Sequence, residues 1–135
     1  MDAAPILSGL VSFAAYFGAS IGLLALFGVL YAMVTPYREL ALIADGNVAA
    51  ACSLSGALLG FALPLASAIS HSVGYGDMLL WGAVALLAQL LTFTVVRHIF
   101  PRLVADIPAG KTAKGIFLGL VSVVIGVLNA ACITY

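Results

Sequence analysis

Residues 70–82 read SHSVGYGDMLLWG, and the fold turns on whether the SVGYGD inside this stretch is a re-entrant loop or a plain turn between two membrane helices. SVGYGD stands one hydroxyl residue away from the TVGYG loop whose carbonyls strip and select potassium in cation channels. Such a loop needs a pore helix of roughly a dozen residues just ahead of it, so that irregular backbone at membrane depth is held inside protein. Here only seven residues separate Pro64 from Ser72. The apolar run before them must use most of those seven to reach the surface, and a shortened run could not cross. The turn is therefore the favoured reading. Gly74 and Gly76 would supply positive φ, Tyr75 would sit at headgroup level, and Asp77 would cap the next helix.

Working outward from this turn, four apolar runs cover residues 9–34, 48–69, 78–96 and 115–134. Each is close to the ~20 residues that cross ~30 Å of hydrocarbon as a helix. Across 135 residues the composition is 64% hydrophobic and 7% charged, too little charge to hydrate a soluble surface. No run alternates with the period of two that a membrane barrel requires. The expected fold class is an all-α integral membrane protein of four transmembrane helices in a single domain, residues 1–135. The start, MDAAPILSGL, carries Asp2 and no Lys or Arg, so the first run is read as a retained helix and not as a signal peptide. Cys52 and Cys132 fall near opposite ends of two runs that start from the same side, beyond the ~7 Å Cα limit for a disulfide.

All five basic residues lie in two connections: Arg38 in the first, and Arg97, Arg102, Lys111 and Lys114 in the third. The positive-inside rule then places both connections in the cytoplasm, with SVGYGD and both termini outside. The same two connections resemble each other. TPYRELALIADGNVAAA and FPRLVADIPAGKTAKGI each hold a Pro (Pro36, Pro101) followed by I-x-x-G-x-x-A, as Ile43, Gly46, Ala49 and Ile107, Gly110, Ala113. This suggests a parallel duplicated helix-loop-helix repeat, residues 9–70 and 77–135, about an axis along the membrane normal. In the first connection Thr35 is expected as N-cap of a short interfacial helix with Glu39 in its first turn. Gly46 would stop it and Asn47 would open the next span.

GxxxG occurs three times, as Gly18 with Gly22, Gly56 with Gly60, and Gly115 with Gly119. In lipid, close backbone approach across small residues is a main source of helix association, so all three pairs are expected to pack helices. Cys52, Gly56, Gly60 and Pro64 continue one face of the second span, which makes that span central; a pore-facing or oligomer-facing groove is the sharper version of the same stripe. Of the membrane-embedded polar side chains, Gln89 and Asn129 need partners most. They are expected as interhelical glue or as the lining of a polar path. His71 is either an interfacial side chain or an outward pH sensor.

The stretch TPYRELALIADGNVAAACSLSGALLGFALPLASAI, followed by a G-K-x-A-K-G loop, resembles the YjfL-like bacterial inner-membrane proteins, a domain-of-unknown-function family of four helices in two copies of one unit. The TPYxE and I-x-x-G-N-x-A-A-A segments, residues 35–51, carry most of the specificity. The resemblance implies a multi-pass bacterial inner-membrane protein in the setting of phage-shock-type envelope proteins and peptide-ligase-like enzymes. The expected function is an envelope scaffold or transport-associated component of unassigned biochemical activity. The alternative is a small oligomeric ion channel with SVGYGD as a potassium-filter-like loop. No nucleophile-base pair, metal cluster or phosphate loop supports an enzyme, and no cofactor or metal is expected. The expected partners are the lipid bilayer and either a homo-oligomer or other envelope proteins, with no nucleic acid. Arg97, Arg102, Lys111 and Lys114 are the candidate lipid- or partner-binding residues.

Overall fold

A computed structural model describes residues 3–133; Asp2, and Thr134 at the expected end of the last span, lie outside the described residues. Among the described residues every regular element is a helix: α1 (Ala3–Val34), α2 (Glu39–Ala44), α3 (Val48–His71), α4 (Tyr75–Ile99), α5 (Leu103–Asp106) and α6 (Thr112–Cys132). Four of them, α1, α3, α4 and α6, are long and apolar enough to cross a membrane. Their boundaries extend the sequence expectation, most of all in α1, whose 32 residues make a rod of about 48 Å. That exceeds the ~30 Å hydrocarbon core, so α1 must tilt or project.

The bundle is built on α3, which packs on α6 along most of its length and also meets α4, α2 and α1. Glycine makes the α3–α6 seam possible. A Cβ on Gly115 would strike the Ala49 backbone, one on Gly119 the Cys52 carbonyl, one on Gly56 the Gly119 backbone, and one on Gly126 the Gly60 carbonyl. The partners climb together from 49 with 115 to 60 with 126, so the two helices run parallel, with backbone against backbone. Pro64 lies inside α3, where its missing N–H leaves the Gly60 carbonyl without its helical donor. That carbonyl is the one against Gly126. At the far end of the seam Ser67 Oγ donates to the Ala130 carbonyl at 3.3 Å. Gly56, Gly60, Gly115 and Gly119, expected to pack helices, all lie in this seam.

Gly18 and Gly22 are different. Nothing among the described residues comes within 4 Å of a Cβ built on either. α1 holds to the bundle through rings instead: Phe27 stacks on Phe61 with centroids 4.6 Å apart, Tyr31 meets Phe93 edge-on at 5.6 Å, and Tyr16 stacks on Tyr75 at 4.8 Å. At about 100° per residue, Phe27 lies roughly 180° around α1 from Gly18. The first GxxxG therefore faces away from its own bundle, and the packing expected of Gly18 and Gly22 is not made among the described residues.

Both connections at the basic end close in one way. Gly46 (φ 88°) and Gly110 (φ 82°) are the positive-φ residues of the described chain. Gly46 N–H donates to Ile43 O at 3.0 Å and Asn47 N–H to Leu42 O at 2.9 Å; Gly110 donates to Ile107 O and Lys111 to Asp106 O, both at 3.0 Å. This is the paired bonding of a Schellman motif, and glycine takes the left-handed position without steric cost. Asn47 caps α3 as expected, its side chain accepting from Ala50 N–H at 2.9 Å. Its amide also donates to Ile107 O at 2.9 Å, tying the first connection to the third.

Two expected caps are replaced. Arg38, with no side-chain bond, is N-cap of α2, while Thr35 still bonds back into α1 at Ala32 O, because the chain needs residues 36–38 to reverse before α2 can begin. At the other end, Gly74 is N-cap of α4 and Asp77 lies inside the first turn. SVGYGD is thus divided: Ser72 caps α3, Val73 and Gly74 make the turn, and Tyr75, Gly76 and Asp77 are helical. Neither glycine has positive φ; Gly74 is fully extended at φ −179°. α3 continues unbroken to His71 and α4 begins at Tyr75, so among the described residues no separate pore helix precedes SVGYGD, the element a filter loop of the channel alternative would need.

Candidate functional site

Polar groups collect at three places. The first lies inside the bundle, where Gln89 of α4 is 1% exposed and donates from Nε2 to Ser122 O of α6 at 3.0 Å. Its Oε1 has no protein partner. Ser122 in turn donates to Leu118 O at 3.0 Å. Asn129 sits two turns further along α6, about 10 Å away by helical rise, with its buried Nδ2 also unpartnered. Gln89 and Asn129, each expected as glue or as lining, sit apart at different levels along α6. Gln89 instead clasps α4 to the α3–α6 seam, its Nε2 lying 2.7 Å from a Cβ built on Gly60.

The second place is the basic end. Arg97, Arg102 and Lys111 are exposed. Lys114 is committed: its Nζ pairs with Asp106 Oδ2 and stands 5.7 Å from the Phe100 ring centre. That hydrogen bond from Lys114 holds the Asp106 carboxyl below the usual carboxylate range, against desolvation, with the charges of Lys114, Arg102 and Lys111 assisting. Three of the four basic side chains expected to meet lipid or a partner face outward, and the fourth braces α6 against the third connection.

Sequence reasoning missed the third place. α2 packs against α3, and Glu39 is only 5% exposed, with Thr35 at 4%, Tyr31 at 1% and Ser53 fully buried. Glu39 Oε1, Tyr31 OH and Tyr37 OH are buried without a hydrogen-bond partner. Burial raises the Glu39 carboxyl from its ordinary 4.5 to about 7, while the Thr35 hydroxyl pulls the other way. Burial, and next the charge of Glu39, push the Tyr37 hydroxyl up as well. In sequence, Glu39 looked like an exposed acid complementing a helix dipole. Only the docking of α2 buries it, and the local pattern holds no sign of that contact. Glu39 also lines a groove of about 440 Å³ between α1 and α3, otherwise formed by residues such as Ile21, Ala25, Gly28, Leu54 and Leu58.

Four apolar helices, a glycine-sealed seam and polar groups confined to clasps and ends define a polytopic helical membrane protein. The family described as Domain of Unknown Function (DUF350) matches residues 5–133, and the chain belongs to that family. It is 40% identical over 130 residues to the UPF0719 inner membrane protein YjfL of Escherichia coli K12, covering 96% of this chain and 98% of that one. It is 29% identical over 118 residues to the UPF0719 transmembrane protein YshE of Bacillus subtilis 168, covering 87% of each. No solved structure matches the chain. The protein is an inner-membrane protein of unassigned biochemical activity.

Proposed function

We propose that the chain is a building block of an inner-membrane envelope scaffold, assembled chiefly with copies of itself through the outward face of α1. One observation carries this reading: the GxxxG of α1 is uncovered, whereas the glycines of the other two GxxxG pairs are packed against backbone. In lipid, an uncovered glycine pair offers the close approach on which helices associate, and the long α1 reaches past the bundle to meet another helix. A helix held by rings on one side and offering small residues on the other is arranged to bridge two bundles. A duplicated unit sharing one orientation, with the basic connections in the cytoplasm and both termini in the periplasm, fits this role. Exposed Arg97, Arg102 and Lys111 would then lie against anionic headgroups, each worth about 1 kcal/mol near such a surface. The role is structural and not catalytic.

Fluorescent copies counted by step photobleaching in native-lipid particles test it. The wild type should show two or more steps per particle, and Gly18→Leu with Gly22→Leu should reduce this to one while leaving helicity unchanged. Multiple steps that survive the double substitution, or single steps in the wild type, would remove α1 as the assembly face.

A further inference from the structure

The groove between α1 and α3 begins beside the Gly18–Gly22 face, which Ala25 and Val29 continue at about 100° per residue, and extends from there toward α3 and the basic end of the bundle. Its walls are apolar apart from Glu39, whose carboxylate oxygen Oε1 is buried and unpartnered. The Tyr31 and Tyr37 hydroxyls are buried without a partner as well. Lys114 with Asp106 is the ion pair among the described residues, so no cation among them answers Glu39. Buried carboxylates without a counter-charge are costly, and those near a membrane mark binding sites by default.

We propose that this groove holds a phospholipid whose headgroup ends in a primary ammonium, the ammonium donating to Glu39 and an acyl chain lying against Ile21, Ala25, Gly28, Leu54 and Leu58. The observations point to this occupant by charge and by shape. The groove volume of about 440 Å³ is within the ~300–1,000 Å³ of small-molecule sites, and its apolar wall suits hydrocarbon. The carboxylate lies five residues beyond the end of α1, next to the basic connection that holds Arg38. An –NH3⁺ group carries three donors and no acceptor, so it can answer the unpartnered Glu39 carboxylate oxygen, which only accepts. Arg38, exposed at the start of α2 and in no ion pair among the described residues, supplies positive charge beside the groove for the lipid phosphate. A trimethylammonium headgroup has the same charge and no N–H, so the chemistry separates two zwitterionic lipids that electrostatics alone would not.

The experiment is native mass spectrometry of the full chain equilibrated with equimolar phosphatidylethanolamine, its N-methyl and N,N-dimethyl forms, and phosphatidylcholine of identical acyl chains. The wild type should retain phosphatidylethanolamine over phosphatidylcholine by about tenfold or more, the ratio that one charge-assisted hydrogen bond of about 1.5 kcal/mol supplies. Retention should fall with each added methyl. Glu39→Gln should abolish the preference, and Asp106→Asn should leave it intact. Equal retention across the methyl series in the wild type overturns the proposal without recourse to any variant. A preference that persists in Glu39→Gln, or a dimer that excludes all lipid from the groove, also overturns it. Free ethanolamine that displaces the lipid fully at matched concentration would show an amine site with no use of the groove, which likewise contradicts it.

Discussion

At the scale of single residues, glycines written alike in sequence have opposite jobs. A methyl at Gly60 would enter the Ser122 backbone and the Gln89 amide, and a crowded core costs about 1–3 kcal/mol, more than the ~1 kcal/mol that alanine gains over glycine in a helix. At Gly22 only the gain remains, since nothing lies within 4 Å. Thermal unfolding in a single detergent should therefore show Gly60→Ala clearly destabilised and Gly22→Ala neutral or slightly stabilised. Glu39 gives a pH signature. Its carboxyl is raised in the folded chain from 4.5 to about 7, so between those values the folded state holds a proton the unfolded chain has released. Stability should fall as pH rises through that window and level off above it. Asp106 has the opposite shift, and its contribution is lost only as pH falls below its ordinary 3.8. Melting curves across the window should slope downward in the wild type and flatten in Glu39→Gln; an unchanged slope in the variant would assign the effect elsewhere.

At the scale of elements, hydropathy made the four spans legible, because a helix in lipid must be apolar for some 20 residues whatever it touches. The glycine stripe of α3 was legible as a face, but periodicity reports a face and not its partner. Gly18 and Gly22 satisfy the same motif as Gly56 and Gly60, and the aromatic residues across α1 decided which side turned inward. The turn at residues 72–74 was legible from the seven residues available after Pro64. Its details were not: the glycines stay out of positive φ, and α4 starts two residues ahead of Asp77. Because Gly76 is helical with open space around it, Gly76→Ala should be neutral or stabilising by up to about 1 kcal/mol. A large loss of stability or assembly in that variant would mean the turn carries more than a connection. Glu39 stayed hidden because its burial arises from α2 packing against α3, a tertiary event its neighbours in sequence do not encode.

At the scale of the whole molecule, the seam of α3 and α6 with α4 clasped on by Gln89 is a closed body, and α1 is an arm attached by rings. Charge orients that body. With the basic connections inside, an activity reporter inserted at Gly110 should read as cytoplasmic and one at Val73, 92% exposed in the opposite turn, as periplasmic. The reverse pattern would move Glu39 and its groove to the other leaflet. The central claim is that α1 meets α1. Single cysteines placed in membranes of a Cys52→Ala, Cys132→Ser background measure that contact directly under mild oxidation. Gly18→Cys and Gly22→Cys should give disulfide-linked dimers in high yield, while cysteine at Leu120, on the exposed face of α6, should give few. Dimers at Leu120 equal to those at Gly22, or none at either glycine, would contradict assembly through α1.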